Sequence, residues 1–458
     1  TTLSKNFNTM LPFLQKYKEL SLFEEDKMSY VQSIMAKPLG CHFKQLANTS
    51  VYVQGNEPDF IMEKFPLPKN KQVAKKLFWE IFNHPRWQLS YVVHDWLQYM
   101  NDYHSGFNNI DVSEGYFEAL DEVSQEIPAP QNTSGHLALQ FCMTQPNMTI
   151  HSVKMGSVSS IRSTSDAYSF FVEGTKRWWW HVYASQFIQA LGKFSFFDNR
   201  TTQTSHTHPF SSNPKFEMIL LGLSCGPIGI GDKIGKENMA LIKRVIKENG
   251  EIIKPDYPCR LLDRCFLYNP HTLKSNRGIT VYSSTDILGK GHTYKYCVYY
   301  CLTFNVHPLG RKVNMAFSLD EIGVDKCKSY MMYDFFSETL NPVTAFTINT
   351  YQMKRRKFYY QVVAPLVRGF AFFGDVSKHV SCSGQIIKEI SFYDTSVEIQ
   401  LNYYNQSDGS TYACFSENTP KSVTFNRIDQ VYTWQEGLLK FYVNDVGVGD
   451  GYMIRINF

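Results

Sequence analysis

The chain is 458 residues long, with 43% hydrophobic, 19% charged and 15% aromatic residues and a net charge of +4. That length suits roughly two or three domains, and so apolar a composition builds cores and excludes a disordered chain. The weak positive balance excludes a nucleic-acid or polybasic membrane binder. The most apolar stretch, Met218 to Gly231, is short and holds four glycines, whereas a transmembrane helix needs about 20 apolar residues.

In chain order, residues 1–36 read as helical, and Pro38 to Phe43 as a buried strand. Extended pieces VYVQ and DFIMEKF follow, then a helix over 72–82. The strand 89–93 ends in His94-Asp95-Trp96. Asp111 and Glu114, three apart, predict a capping box at the start of the next helix. Strands are expected at 137–143, at 157–162 before Ser165-Asp166, and at 194–197 before Asp198, with a helix over RWWWHVYASQFIQALG between the last two. The run 218–232 reads as a further buried strand ending at Asp232, and 236–250 as an amphipathic helix closed by Gly250.

Short apolar strands alternating with helices from about 38 to 250 predict a parallel sheet buried on both faces. Carboxylates recur at the strand ends, where a β/α barrel carries its active site: Asp95, Asp166, Asp198 and Asp232. Beyond about 256, short alternating strands predict a β-sandwich. The expected division is therefore 1–255, a partial TIM-type barrel, and 256–458, an antiparallel β-sandwich.

Five glycosylation sequons, at Asn48, Asn132, Asn147, Asn199 and Asn405, point with an even ten cysteines to a secreted or lysosomal-type glycoprotein. No CxxC pair exists, which removes zinc-ribbon and thioredoxin readings. Cys259 and Cys265 flank a short loop and are candidates to pair, whereas Cys297 and Cys301 lie about 13 Å apart along a strand-like run, too far to bond. The competing reading is buried free thiols in a cytosolic enzyme. His206 and His208 lack a third metal ligand and read as a solvated loop. The glycines of GPIGIGD match neither nucleotide-binding spacing and read as packing at a strand end. Trp178 to Trp180 sit at helical spacing, so most of that run reads as core. No cofactor or metal is implied.

The segments CGPIGIGDKIGKENMALIKRVIKENGEIIKPDYPCRLLDRCF, SVSSIRSTSDAY, LALQFCMTQP and LSYVVHDWL are collinear with corresponding segments of glycoside hydrolase family 36-like proteins. The chain resembles that group of α-galactosidase, raffinose synthase and seed-imbibition relatives over most of its length. The resemblance implies a (β/α)8 barrel followed by a β-sandwich, and retaining chemistry on α-galactosides. Retention needs two carboxyls about 5–5.5 Å apart. By matched position Asp95 is the nucleophile, Asp166 the acid/base and Arg162 a holder of substrate hydroxyls; Trp96, Asp198 and Asp232 fall at the substrate rim. Val93 replaces a polar residue two before the nucleophile, and the family's aspartate pair is reduced to Asp166-Ala167. Those departures favour the alternative, a catalytically inactive relative that binds carbohydrate or serves as a structural glycoprotein. The family's first two barrel strands have no counterpart in 1–37, so the chain reads as one fragment of a processed precursor, partnered by its N-terminal fragment.

Overall fold

The computed structural model describes residues 39–50, 52–83, 89–129, 134–165, 174–203, 213–289, 294–443 and 452–458. It divides into two compact units, Thr1–Arg162 with Ile188–Phe196, and Ser163–Phe187 with Phe197–Phe458. The helical reading of 1–36, the histidines 206 and 208, Asp166, Ala167 and Asn132 all lie outside the described residues.

The first unit is built on five parallel strands, β1 (Leu39–Phe43), β2 (Leu89–His94), β3 (Ala138–Phe141), β4 (Val158–Arg162) and β5 (Phe194–Phe196). They hydrogen-bond in chain order, β1-β2-β3-β4-β5. Register places His42 beside Val93 and Phe43 beside His94 across β1 and β2, and Val93 beside Gln140 across β2 and β3. The strands are short apolar runs because both faces of a parallel sheet are covered. Helix α1 (Lys71–Phe82) buries Ala74, Leu77, Phe78, Ile81 and Phe82. The spacing of those residues is the one-sided stripe of a helix against a core. Its cap is Asn70, whose side chain accepts from the Val73 N–H at 3.0 Å.

Two shorter helices, α2 (Leu97–Tyr103) and α4 (Pro146–His151), flank α3 (Ile110–Glu126). Helix α3 corrects the expected capping box. The cap is Asn109, whose side chain accepts from the Asp111 N–H at 3.0 Å. Glu114 instead holds Lys154 at 2.8 Å. Lys71 and Lys75 on α1 bridge to Glu118, Glu122 and Glu126 on α3. The two helices can approach because Gly115 has no side chain; a Cβ there would sit 3.2 Å from the Lys71 backbone nitrogen.

In the second unit, α5 (Gly174–Ala190, which crosses the unit boundary) and α6 (Pro214–Leu223) precede an almost all-β region. Helix α6 overturns the strand expected over 218–232. Asn213 caps it, accepting from the Phe216 N–H at 3.3 Å, and Pro214 occupies the first turn, where no amide donor is required. The expected helix over 236–250 shrinks to one turn, α7 (Met239–Ile242). Its remaining backbone groups bond elsewhere: Lys247 N–H donates to the Glu251 carbonyl, Ile253 N–H to Val245, and Lys378 Nζ to the carbonyls of Lys243 and Ile246. With those acceptors engaged, no continuing helix remains to be satisfied.

From Tyr257 onward the strands of the described residues form an eleven-stranded, mostly antiparallel sheet, a four-stranded sheet and a two-stranded pair. Buried tyrosines tie strands together: Tyr296 donates to the Pro365 carbonyl at 3.0 Å and accepts from Phe372 N–H at 2.7 Å, while Tyr300 accepts from Cys382 N–H at 2.8 Å. All ten cysteines are free thiols, so the pairing expected of Cys259 and Cys265 is not formed. No helix among the described residues is long and apolar enough to cross a membrane.

Candidate active site

In the first unit the C-terminal ends of three adjacent parallel strands converge on one carboxylate. Asp95 follows β2 directly, and its backbone N–H donates to the Phe43 carbonyl at the end of β1, at 2.8 Å. His42, the fourth residue of β1, meets Asp95 through Nε2 to Oδ2 at 3.0 Å. Cys142, just past β3, also acts on this carboxyl. Asp95 is 7% exposed.

Burial alone would raise the Asp95 pKa. The hydrogen bonds from His42 and Cys142, the charge of a protonated His42 and the Trp96 N–H outweigh burial, and hold it down at about 2. The carboxylate is therefore ionised throughout the neutral range. It suits a nucleophile or a cation-stabilising anion and cannot act as the proton donor. Among the described residues no hydrogen bond of ordinary geometry reaches Oδ1. Because the folded pKa lies below the ordinary 3.8, this carboxylate stabilises the fold above pH 3.8 and loses that contribution as pH falls through about 2. His42→Ala is expected to raise the Asp95 pKa above about 2, which carboxyl NMR of labelled protein measures. An unmoved value would remove His42 from the site.

Trp96 has a left-handed backbone, φ 61°, and stands at the head of α2. Its ring stacks on Tyr99 with centroids 4.6 Å apart, and Tyr99 stacks on Tyr103 at 5.1 Å. Lys44 lies over the Trp96 ring, Lys64 lies 3.6 Å from the Tyr103 centroid, and Gln45 Nε2 donates to the Trp96 carbonyl at 2.7 Å. These residues line a cavity of about 440 Å³. His94, one residue earlier, faces the other way. It is fully buried, bonds the Tyr116 hydroxyl at 2.7 Å, and burial lowers its pKa to about 4, so it is neutral packing.

The other expected site residues are distributed. Arg162 ends β4, half-buried, in the first unit. Asp198 and Asp232 belong to the second unit. Asp198 is half-buried with φ 79°. Asp232 is engaged structurally: its carboxylate accepts from the Thr202 N–H at 2.8 and 3.0 Å and from the Thr202 hydroxyl at 2.8 Å. Among the sequons, Asn48, Asn147 and Asn199 are exposed. Asn405 is 5% exposed, and its side-chain oxygen accepts from Ser407 Oγ and Asp408 N–H, closing a turn. Sequence periodicity does not mark His42, the fourth of five residues in β1, whereas Cys142 follows β3 as Asp95 follows β2.

No family model matches the chain, and no curated protein matches it. Solved structures do. A glycoside hydrolase family 27 β-L-arabinopyranosidase from Geobacillus stearothermophilus, in complex with arabinose, superposes with TM-score 0.51 at 12% identity, over 76% of this chain and 80% of that one. The chain has a TIM-type barrel with a C-terminal β domain. The α-galactosidase of Saccharomyces cerevisiae is a further match, with TM-score 0.46 and 11% identity over 75% of this chain and 84% of that one. Strands β1 to β5 are consecutive barrel strands, and Asp95 stands at the end of the second of them, on the face where barrel enzymes carry their chemistry.

Proposed function

We propose that the chain is a retaining glycoside hydrolase or transglycosidase acting on α-galactosides, of the family 36-like type, with Asp95 as nucleophile. The observation that carries this reading is the ionised, His42-paired carboxylate at a barrel strand's C-terminal end. In this mechanism Asp95 Oδ attacks the anomeric carbon as the aglycone departs, giving a covalent glycosyl ester. Asp166 donates a proton to the leaving oxygen and then takes one from the incoming water or acceptor hydroxyl. Arg162 holds ring hydroxyls. An α-galactoside and a β-L-arabinopyranoside share ring configuration and differ by one hydroxymethyl group, so both belong in the test. Hydrolysis of their aryl glycosides is followed by NMR, where the anomer of the substrate must appear first, before mutarotation. The opposite anomer would refute the double displacement.

Val93, half-buried between His42 and Gln140 in neighbouring strands, favours the second reading, an inactive carbohydrate-binding relative. No turnover of either glycoside, with binding retained, is its signature. Exposed Asn48, Asn147 and Asn199 support a glycosylated, secreted or lysosomal-type protein.

A further inference from the structure

A second cavity, of about 570 Å³, has all its described lining residues in the C-terminal unit. Its walls include Lys215 in the first turn of α6, Arg244 after α7, and the rings of Tyr333, Phe335 and Phe336. Lys215 Nζ lies 3.5 Å from the Phe336 centroid, and the Arg244 guanidinium carbon lies 6.0 Å from that of Phe335. Among the described residues neither cation forms an ion pair. The cavity's acid, Glu338, is already engaged, with both carboxylate oxygens 2.8 Å from Lys440 Nζ. Asp375 acts on Arg244 only from a distance, and its own Oδ1 accepts from the Ser377 N–H and hydroxyl.

Two like charges share one cavity, and among the described residues no carboxylate pairs with either. Their field is felt by a neighbour. His379 is fully buried beside Phe335, 6.1 Å between centroids, and among the described residues neither of its ring nitrogens has a hydrogen-bond partner. Burial first, then the charges of Arg244 and Lys215, hold its pKa well below the ordinary value. A positive, half-apolar cavity of this size fits a ring bearing one negative group.

We propose that this cavity is a binding site for an anionic monosaccharide unit, a uronate or a sugar phosphate, with its charged group between Lys215 and Arg244 and its ring against the aromatic wall. The proposal does not rest on the α-galactosidase reading and stands or falls separately.

Calorimetric titration of the full chain with D-galacturonate, D-glucose 6-phosphate, D-galactose and inorganic phosphate tests it. Both charged sugars are expected to bind, and neutral galactose to show no heat that Lys215→Met removes. Lys215→Met and Arg244→Met should each weaken the charged sugars roughly tenfold or more, and Asp95→Ala should leave that affinity unchanged. Lys215 is exposed, so its variant keeps the fold and decides the matter even where Arg244→Met does not fold. Unchanged affinity in Lys215→Met would overturn the site. Inorganic phosphate binding as tightly as the sugar phosphate would overturn the saccharide assignment.

Discussion

Asp95→Ala is expected to lower turnover of an aryl α-galactoside by roughly 10⁴-fold or more, and added azide to restore part of it. The wild-type carboxylate is ionised, with its pKa held at about 2, and is buried against His42 and Cys142. Alanine removes the atom that would bond to the anomeric carbon and leaves a hole at that face. A small anion that fills the hole can attack in its place. An aryl leaving group needs little protonation, so the first step remains accessible. The product should be the β-galactosyl azide, inverted at the anomeric carbon because a single displacement replaces two. Wild-type-like rates in the variant, or the α-azide, would show that Asp95 is not the nucleophile. Asp95→Asn gives a complementary control, since an amide fills the hole but does not form the ester.

The largest expected effect on stability is at Trp178, on α5. Its ring is 2% exposed and packs on Phe216 at 4.4 Å, and its Nε1 donates to buried Glu217 at 2.7 Å. Trp178→Ala should cost about 4 kcal/mol or more, from the cavity and from a carboxyl left without its donor. That corresponds to a fall in Tm on the order of 10 °C. Glu217→Gln should act in the opposite sense. Burial raises the Glu217 pKa, against the lowering effects of Arg200, Trp178 and further arginines. A raised folded pKa means stability that is complete at low pH and declines as pH rises through it. Glutamine carries no such loss and still accepts from Trp178. The variant's advantage in Tm should therefore grow between pH 4 and neutrality; a variant less stable at neutral pH would show that the ionised form is favoured in the fold.

Periodicity made much of the barrel half legible. β2 and α1 coincide with the apolar runs at 89–93 and 72–82 to within a residue. What failed was local. The run from Met218 is apolar enough for a buried strand or a buried helix, and periodicity does not separate the two. The deciding signal was Asn213-Pro214 upstream, a cap followed by a first-turn proline. The helix expected over 236–250 has the right amphipathic pattern, yet Lys378, more than a hundred residues away in sequence, takes the carbonyls that a continuing helix would have used. Such a contact has no local signature. Asp95 was legible as a carboxylate at a strand end, but its His42 partner was not, because that pairing depends on β1 and β2 being neighbours in register.

The free thiols make the molecule its own reporter of partial opening. Cys41 and Cys142 belong to the barrel unit, while the other eight lie in the second unit. Burial pushes Cys41, Cys297 and Cys301 up to about 12, so almost no thiolate is present at neutral pH while the structure is closed. Exposed Cys327 reacts at once with an alkylating agent and sets the zero of the time course. Each later modification then dates the moment at which a particular buried segment first meets solvent, and mass spectrometry of the labelled peptides separates loosening of the first unit from loosening of the second without any added probe.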